Sequence, residues 1–151
     1  MIECSGQYVV VWPDGAGWWI LTSGFCVERP FGWGLMLVGD AASQDLPGID
    51  PDTLVTATES SLAVCVRHAQ DVDLDSAVRE CHVRVEVRVN QHPDQTACFD
   101  GVINVPSGRI TFGDADGVEE LQVMPGHWRV QVAAEPEDHP EHVYIWITSA
   151  D

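Results

Sequence analysis

From Cys98 to Ala133 the apolar residues recur at every second position: Ile103 and Val105, Ile110 and Phe112, Leu121 and Val123, then Trp128, Val130 and Val132. Asn104, Arg109, Thr111, Gln122, Arg129 and Gln131 occupy the alternate places. Successive side chains of a strand point to opposite faces, so this alternation predicts antiparallel strands with one face on a core and the other toward water. Val105-Pro106-Ser107-Gly108 has proline at the second position and glycine at the fourth, which suits a type I turn; Met124-Pro125-Gly126-His127 has glycine third, which suits a type II turn. Gly113 to Gly117 reads as an acidic, glycine-bounded loop of a longer hairpin.

His82 to Asn90 alternates most regularly, with Val83, Val85, Val87 and Val89 on one face and His82, Arg84, Glu86 and Arg88 on the other. The charged face predicts a cross-strand salt-bridge ladder in preference to an anion-binding patch. Further strands are expected at Gln7 to Trp12 and Trp18 to Thr22, joined by Pro13-Asp14-Gly15-Ala16-Gly17, at Leu35 to Val38, Leu54 to Thr58 and Leu62 to Arg67, and at His142 to Thr148, which is apolar on both faces. Phe25 to Val27 reads as a short strand interrupted by Arg29-Pro30. Gly39 to Thr53, Asp71 to Glu80 and Glu135 to Glu141 read as surface loops. The aromatics and glycines of Phe31-Gly32-Trp33-Gly34 fit core positions with glycines at bends better than the rim of a groove. Together these elements predict an all-β chain, a single domain over residues 1–151 folded as an antiparallel β-sandwich of about eight to ten strands, with a closed barrel as the alternative.

Charge adds a constraint on partners. Aspartate and glutamate total 24 against seven arginines and no lysine, a formal net charge of −17. Such a field repels nucleic-acid phosphates and anionic membrane surfaces and attracts basic proteins, although it also serves solubility. The N-terminus lacks a basic segment followed by an apolar run, and no apolar stretch is long enough to span a bilayer. The five cysteines, Cys4, Cys26, Cys65, Cys81 and Cys98, are odd in number and widely spaced, which predicts reduced thiols and a cytoplasmic location.

Motifs for chemistry are weak. Asp71, Asp73 and Asp75 begin like a calcium loop, but Ser76 stands where glycine is needed and His82 where a bidentate glutamate should be. Asp114-x-Asp116-Gly117-x-Glu119 is too short to specify an ion, and Pro140 opposes joint presentation of His139 and His142 to a metal. Ser107 lacks a nucleophile elbow. Cys65 and His68, placed on one strand, would face opposite ways. No phosphate-binding glycine loop is present. The expectation is a protein that is not an enzyme and holds no metal or other cofactor.

The segments Asn104-Val105-Pro106-Ser107-Gly108-Arg109-Ile110 and Leu121-Gln122-Val123-Met124-Pro125-Gly126-His127-Trp128-Arg129-Val130-Gln131-Val132 resemble the competence-protein-J-like group of small bacterial β-sandwich proteins. In that group a hydrophobic strand, a proline- or lysine-glycine turn and an aromatic-led strand recur near the C-terminus. The resemblance implies a β-sandwich and an inhibitor, since the type member inhibits a DNA-uptake nuclease; it identifies no binding residue here. With the charge, it predicts an acidic intracellular protein that inhibits or shields a basic protein, such as a nuclease toxin. The expected contact groups are Asp71, Asp73, Asp75, Asp114, Asp116, Glu119 and Glu120, with Asp45, Asp50 and Asp52 as a further acidic loop. The alternative is a small-molecule or carbohydrate module using Trp18, Trp19 and Trp33 as platforms.

Overall fold

A computed structural model describes residues 23–50, 52–72, 80–136 and 138–150. The expected strands at Gln7 to Trp12 and Trp18 to Thr22, and the candidate residues Trp18, Trp19, Asp73 and Asp75, lie outside these. The chain forms ten strands: β1 (Ser23–Pro30), β2 (Leu35–Asp40), β3 (Val55–Ala57), β4 (Ser61–Cys65), β5 (His82–Val89), β6 (Phe99–Val105), β7 (Arg109–Asp114), β8 (Gly117–Gln122), β9 (Gly126–Glu135) and β10 (His142–Ser149). They make two sheets of five, in the orders β1-β5-β10-β9-β6 and β3-β4-β2-β7-β8. The sheets are mostly antiparallel and do not close into a barrel, so the fold is the expected all-β sandwich. β10 breaks the antiparallel rule, running parallel to β5.

The core lies between the two sheets. Val83, Val85, Val87 and Val89 of β5 are each at most 1% exposed, as their alternation predicts. Burying each contributes roughly 1.5–3 kcal/mol before the cost of ordering the chain. They belong to the same core cluster as Phe112, Ile110 and Leu121 of the second sheet, with Phe25 edge-on to Phe112 at 5.2 Å between centroids. The charges on the polar face of β5 pair along the strand and not, as expected, across strands: Arg84 and Arg88 reach the two oxygens of the buried Glu86 carboxylate at 3.3 and 3.5 Å, and His142 of β10 is the cross-strand neighbour, at 3.4 Å.

Several local expectations change. β1 continues through Arg29 to Pro30, because as an edge strand paired on one side with β5 it needs no N–H from a terminal proline. The β7–β8 hairpin is tighter than its glycines suggest, with Asp114 opposite Gly117 and only Ala115-Asp116 between. The two proline-glycine turns connect strands, β6 to β7 and β8 to β9, and each carries the chain from one sheet to the other. The first is a four-residue turn, with the Gly108 N–H donating to the Val105 carbonyl at 3.3 Å and a left-handed Gly108 (φ 72°). The second is not type II, since Gly126 has φ 145° and begins β9; the Trp128 indole N–H closes it on the Met124 carbonyl at 2.8 Å. The expectation of five reduced thiols also fails. Cys26 is disulfide-bonded while Cys65, Cys81 and Cys98 keep their thiols, so cysteine usage no longer argues for the cytoplasm. Among the described residues no helix is long and apolar enough to cross a membrane.

Candidate functional site: an apolar cleft with an acidic edge

The outer face of the second sheet is unusual for a sandwich surface because its middle strand is apolar on both sides. Met36 and Val38 of β2 point into the core, which leaves Leu35 and Leu37 on the outer face beside Cys65 of β4. Two flanking segments turn this face into a cleft. On one side the segment 41–50 is pinned to the β3–β4 turn: the Ser43 and Ser60 hydroxyls meet at 2.7 Å, Ser60 Oγ donates to the Asp45 carboxylate at 2.8 Å, and Ser61 Oγ donates to the Asp45 carbonyl at 2.9 Å. Pro47 is buried beneath the loop, while Leu46 and Ile49 stand 74% and 65% exposed. On the other side the Phe31–Gly34 turn, closed by the Gly34 N–H on the Phe31 carbonyl at 3.1 Å, buries Phe31 and presents Trp33 at 75% exposure. Trp33 is therefore a rim residue, contrary to the core reading favoured from sequence.

The cleft has a volume of about 820 Å³. Trp33, Leu35, Leu37, Leu46, Pro47, Ile49, Cys65 and Val66 form its apolar lining, and Asp71, Asp114, Asp138, His68 and His139 its polar margin. Asp50, next to Ile49, is held below the usual carboxylate range by the Asp52 backbone N–H and the Thr53 hydroxyl, both at 2.9 Å. It stays ionised at neutral pH.

Of the acidic residues singled out from sequence, Asp71 and Asp114 come together at this cleft although they belong to different loops. Their chemistry differs. The Asp71 side chain is 53% exposed and sits 3.4 Å from Arg67, which also pairs with Glu141. Asp114 is only 5% exposed and is bound by Arg29 at 3.0 Å, whose other terminal nitrogen donates to the Gly117 carbonyl at 2.6 Å and whose guanidinium lies 4.3 Å from the Phe31 ring centre. This carboxylate fastens β1 to the β7–β8 hairpin. Asp116 at the hairpin tip is exposed and lies beside the aromatic turn, where a Cβ on Gly32 would come within 3.2 Å of its Oδ2. Glu120 points outward from β8 toward Arg109 at 3.5 Å, and Glu119 occupies the opposite face of that strand. Asp138, Leu46 and Ile49 also belong to the cleft and were passed over because their segments read as solvated loops.

Among the described residues, the histidines and cysteines do not assemble a reactive group. β4 ends at Cys65, so Cys65 and His68 both line the cleft instead of facing opposite ways along one strand. Burial and the nearby Asp50 push the Cys65 thiol up, away from a thiolate nucleophile, and His68 Nδ1 accepts the Gln70 backbone N–H at 3.0 Å. His139 stays on the cleft margin, whereas His142 stacks on Tyr144 at 4.0 Å and takes part in the Glu86 cluster. Among the described residues no group of three or more His, Cys, Asp or Glu is placed to hold a metal.

No protein-family description matches the sequence, and no curated protein does. Two solved structures share the fold. One is ComJ of Bacillus subtilis, described as the inhibitor of the DNA-degrading activity of NucA: 11% identity, TM-score 0.58, covering 87% of this chain and all of that one. The other is described as crocagin biosynthetic gene J: 15% identity, TM-score 0.54, again covering 87% and 100% of the two chains. The resemblance visible in the C-terminal third thus extends as a likeness of fold over most of the chain.

Proposed function

We propose that this protein is an inhibitor-type binding protein that engages a basic protein, a nuclease or nuclease toxin being the expected class. The observation that carries this reading is the cleft: an exposed apolar surface on the middle of a sheet, bordered by carboxylates, on a fold shared with a described nuclease inhibitor. Contiguous exposed apolar area on a globular protein marks an interaction surface, and negative charge around it favours a cationic partner over phosphate-rich nucleic acid or an anionic membrane. A sugar-binding role draws support from Trp33 alone among the described tryptophans, since Trp128 and Trp146 are buried. No catalytic role is proposed.

The test is affinity capture from native lysate at low salt with elution on a rising salt gradient, followed by reconstitution with the purified candidate. A basic protein whose nuclease activity falls on stoichiometric addition of this chain supports the reading. Retention of no basic protein, or binding that leaves the partner's activity intact, overturns it.

A further inference from the structure

The geometry of the cleft points to the segment of the partner that it takes. We propose that it receives a short stretch of the partner chain carrying one large apolar anchor side chain with arginine or lysine on each side of it. The anchor packs on Leu35 and Leu37 under Trp33, and the flanking cations reach the carboxylates of Asp71 and Asp138. This rests on the inhibitor reading and specifies how the site works.

Three observations select this occupant. The volume of about 820 Å³ falls within the range of sites that enclose a small ligand or a few residues of a chain, so the surface works as a slot for one segment. Part of its wall is formed in advance: hydrogen bonds among Ser43, Asp45, Ser60 and Ser61 anchor the chain next to Leu46, and the Asp52 N–H and Thr53 hydroxyl bind the Asp50 carboxylate next to Ile49, which lowers the ordering cost of binding. The margin carries one sign. Among the described residues no arginine lines the cleft, and Arg29 and Arg67, which bind its margin residues Asp114 and Asp71, are engaged there, Arg67 also by Glu141. Asp138 has no arginine partner among the described residues, and Asp71 stays half-exposed. Apolar walls around such a margin focus its negative field on whatever enters. A second copy of this chain is a poor occupant, since each copy carries a formal charge of −17 and would bring like charge to the edge.

The experiment uses the full chain labelled with 15N and three blocked synthetic peptides: a leucine flanked by arginines, the same peptide with alanine for leucine, and the same peptide with glutamates for the arginines. The arginine–leucine peptide should shift the amides of Leu35 and Leu37 and the Trp33 indole. The alanine peptide should bind roughly tenfold or more weakly, and the glutamate peptide should not bind. Ile49→Glu, at a 65% exposed position, should weaken the first peptide while leaving the spectrum folded; Asp138→Asn, on an exposed loop, is a second variant that spares the core. Equal binding of the arginine and glutamate peptides, or shifts that map away from the cleft, would overturn the proposal. If the captured basic partner binds Ile49→Glu and the wild type equally well, the cleft assignment fails while the inhibitor reading survives. If no basic partner is found at all, both fail.

Discussion

Asp114 was expected from sequence to face a partner, yet its carboxylate is spent on Arg29, and a double-mutant cycle separates the two roles. The pair joins the edge of one sheet to a hairpin of the other, with side chains 19% and 5% exposed and a separation of 3.0 Å. Exposed ion pairs measure about 0.2–1 kcal/mol, whereas removing one partner of a buried pair costs about 3–5 kcal/mol. With one partner buried and the other largely so, Asp114→Ala and Arg29→Met should each cost about 2–3 kcal/mol. Asp114 Oδ1 also accepts the Asp116 backbone N–H at 3.0 Å, a bond that alanine deletes as well. The double variant should cost only about 3–4 kcal/mol, because the second change removes a group already left without its partner, giving a coupling of about 1–2 kcal/mol. Each single variant should lower the melting temperature by roughly 4–12 °C for a chain of this size.

The assay is urea unfolding followed by circular dichroism for wild type, both single variants and the double variant, with the denaturant slope checked for constancy. Strictly additive costs would refute the clasp and return Asp114 to the pool of surface acids. A contact role instead of a structural one would show as unchanged stability with slower association to the partner.

Asp40, 5% exposed at the end of β2, accepts the Ser107 backbone N–H at 3.0 Å, the Ser107 hydroxyl and the Ala42 N–H at 3.2 Å; Asp40→Ala strands these donors and should cost about 2–4 kcal/mol in the same urea assay, with Asn recovering part of it. Hydrogen bonds from Arg129 hold the Asp100 carboxyl below its ordinary value, as the Asp52 N–H does for Asp50. Their stabilisation is therefore present above that value and should fade as pH falls below about 3.8, a loss that Asp100→Asn should blunt. Burial raises the Tyr144 phenol, so stability should also fall as pH climbs above about 10. Alkylation at neutral pH, mapped by mass spectrometry, should modify the exposed Cys98 first, Cys65 more slowly because burial raises its thiol, and the buried Cys81 last, with Cys26 protected by its disulfide.

What the sequence exposes and what it hides follow from the range of the interactions involved. β5 and β10 were legible because an inward valine or isoleucine beside an outward charge or aromatic ring is a local signal that needs no partner strand. β2 was not, since Leu35-Met36-Leu37-Val38 is apolar at every position and does not reveal which pair faces out. The proline-glycine turns look alike in sequence whether they close a hairpin or change sheets. The choice is made by distant pairing, β6 with β9 and β7 with β2. The acidic loops were visible, but Arg29, which consumes Asp114, lies 85 residues away along the chain. The disulfide at Cys26 left no spacing motif to read. The cleft itself combines the Phe31–Gly34 turn, two strands, the β7–β8 hairpin and several loop segments that no local period links.

Charge and apolar surface should contribute to different steps of binding. Every described arginine is paired with a carboxylate, as Arg29, Arg67, Arg84, Arg88, Arg109 and Arg129 show, so the excess of negative charge is what the protein presents to solvent. A field of that kind reaches about 8–10 Å at physiological salt and accelerates encounter with any cation, without choosing among them. Choice requires short-range complementarity, which the cleft offers. Neutralising Asp116 and Asp138 together should slow association severalfold and flatten its dependence on salt while leaving dissociation nearly unchanged. Replacing Ile49 or Leu46 by a charged residue should leave the association rate within about a factor of two or three and speed dissociation tenfold or more. Stopped-flow mixing with the purified partner at several salt concentrations measures both rates. If Ile49 and Leu46 variants alter only association, or Asp116 and Asp138 variants only dissociation, the division of labour between acidic edge and apolar floor is wrong.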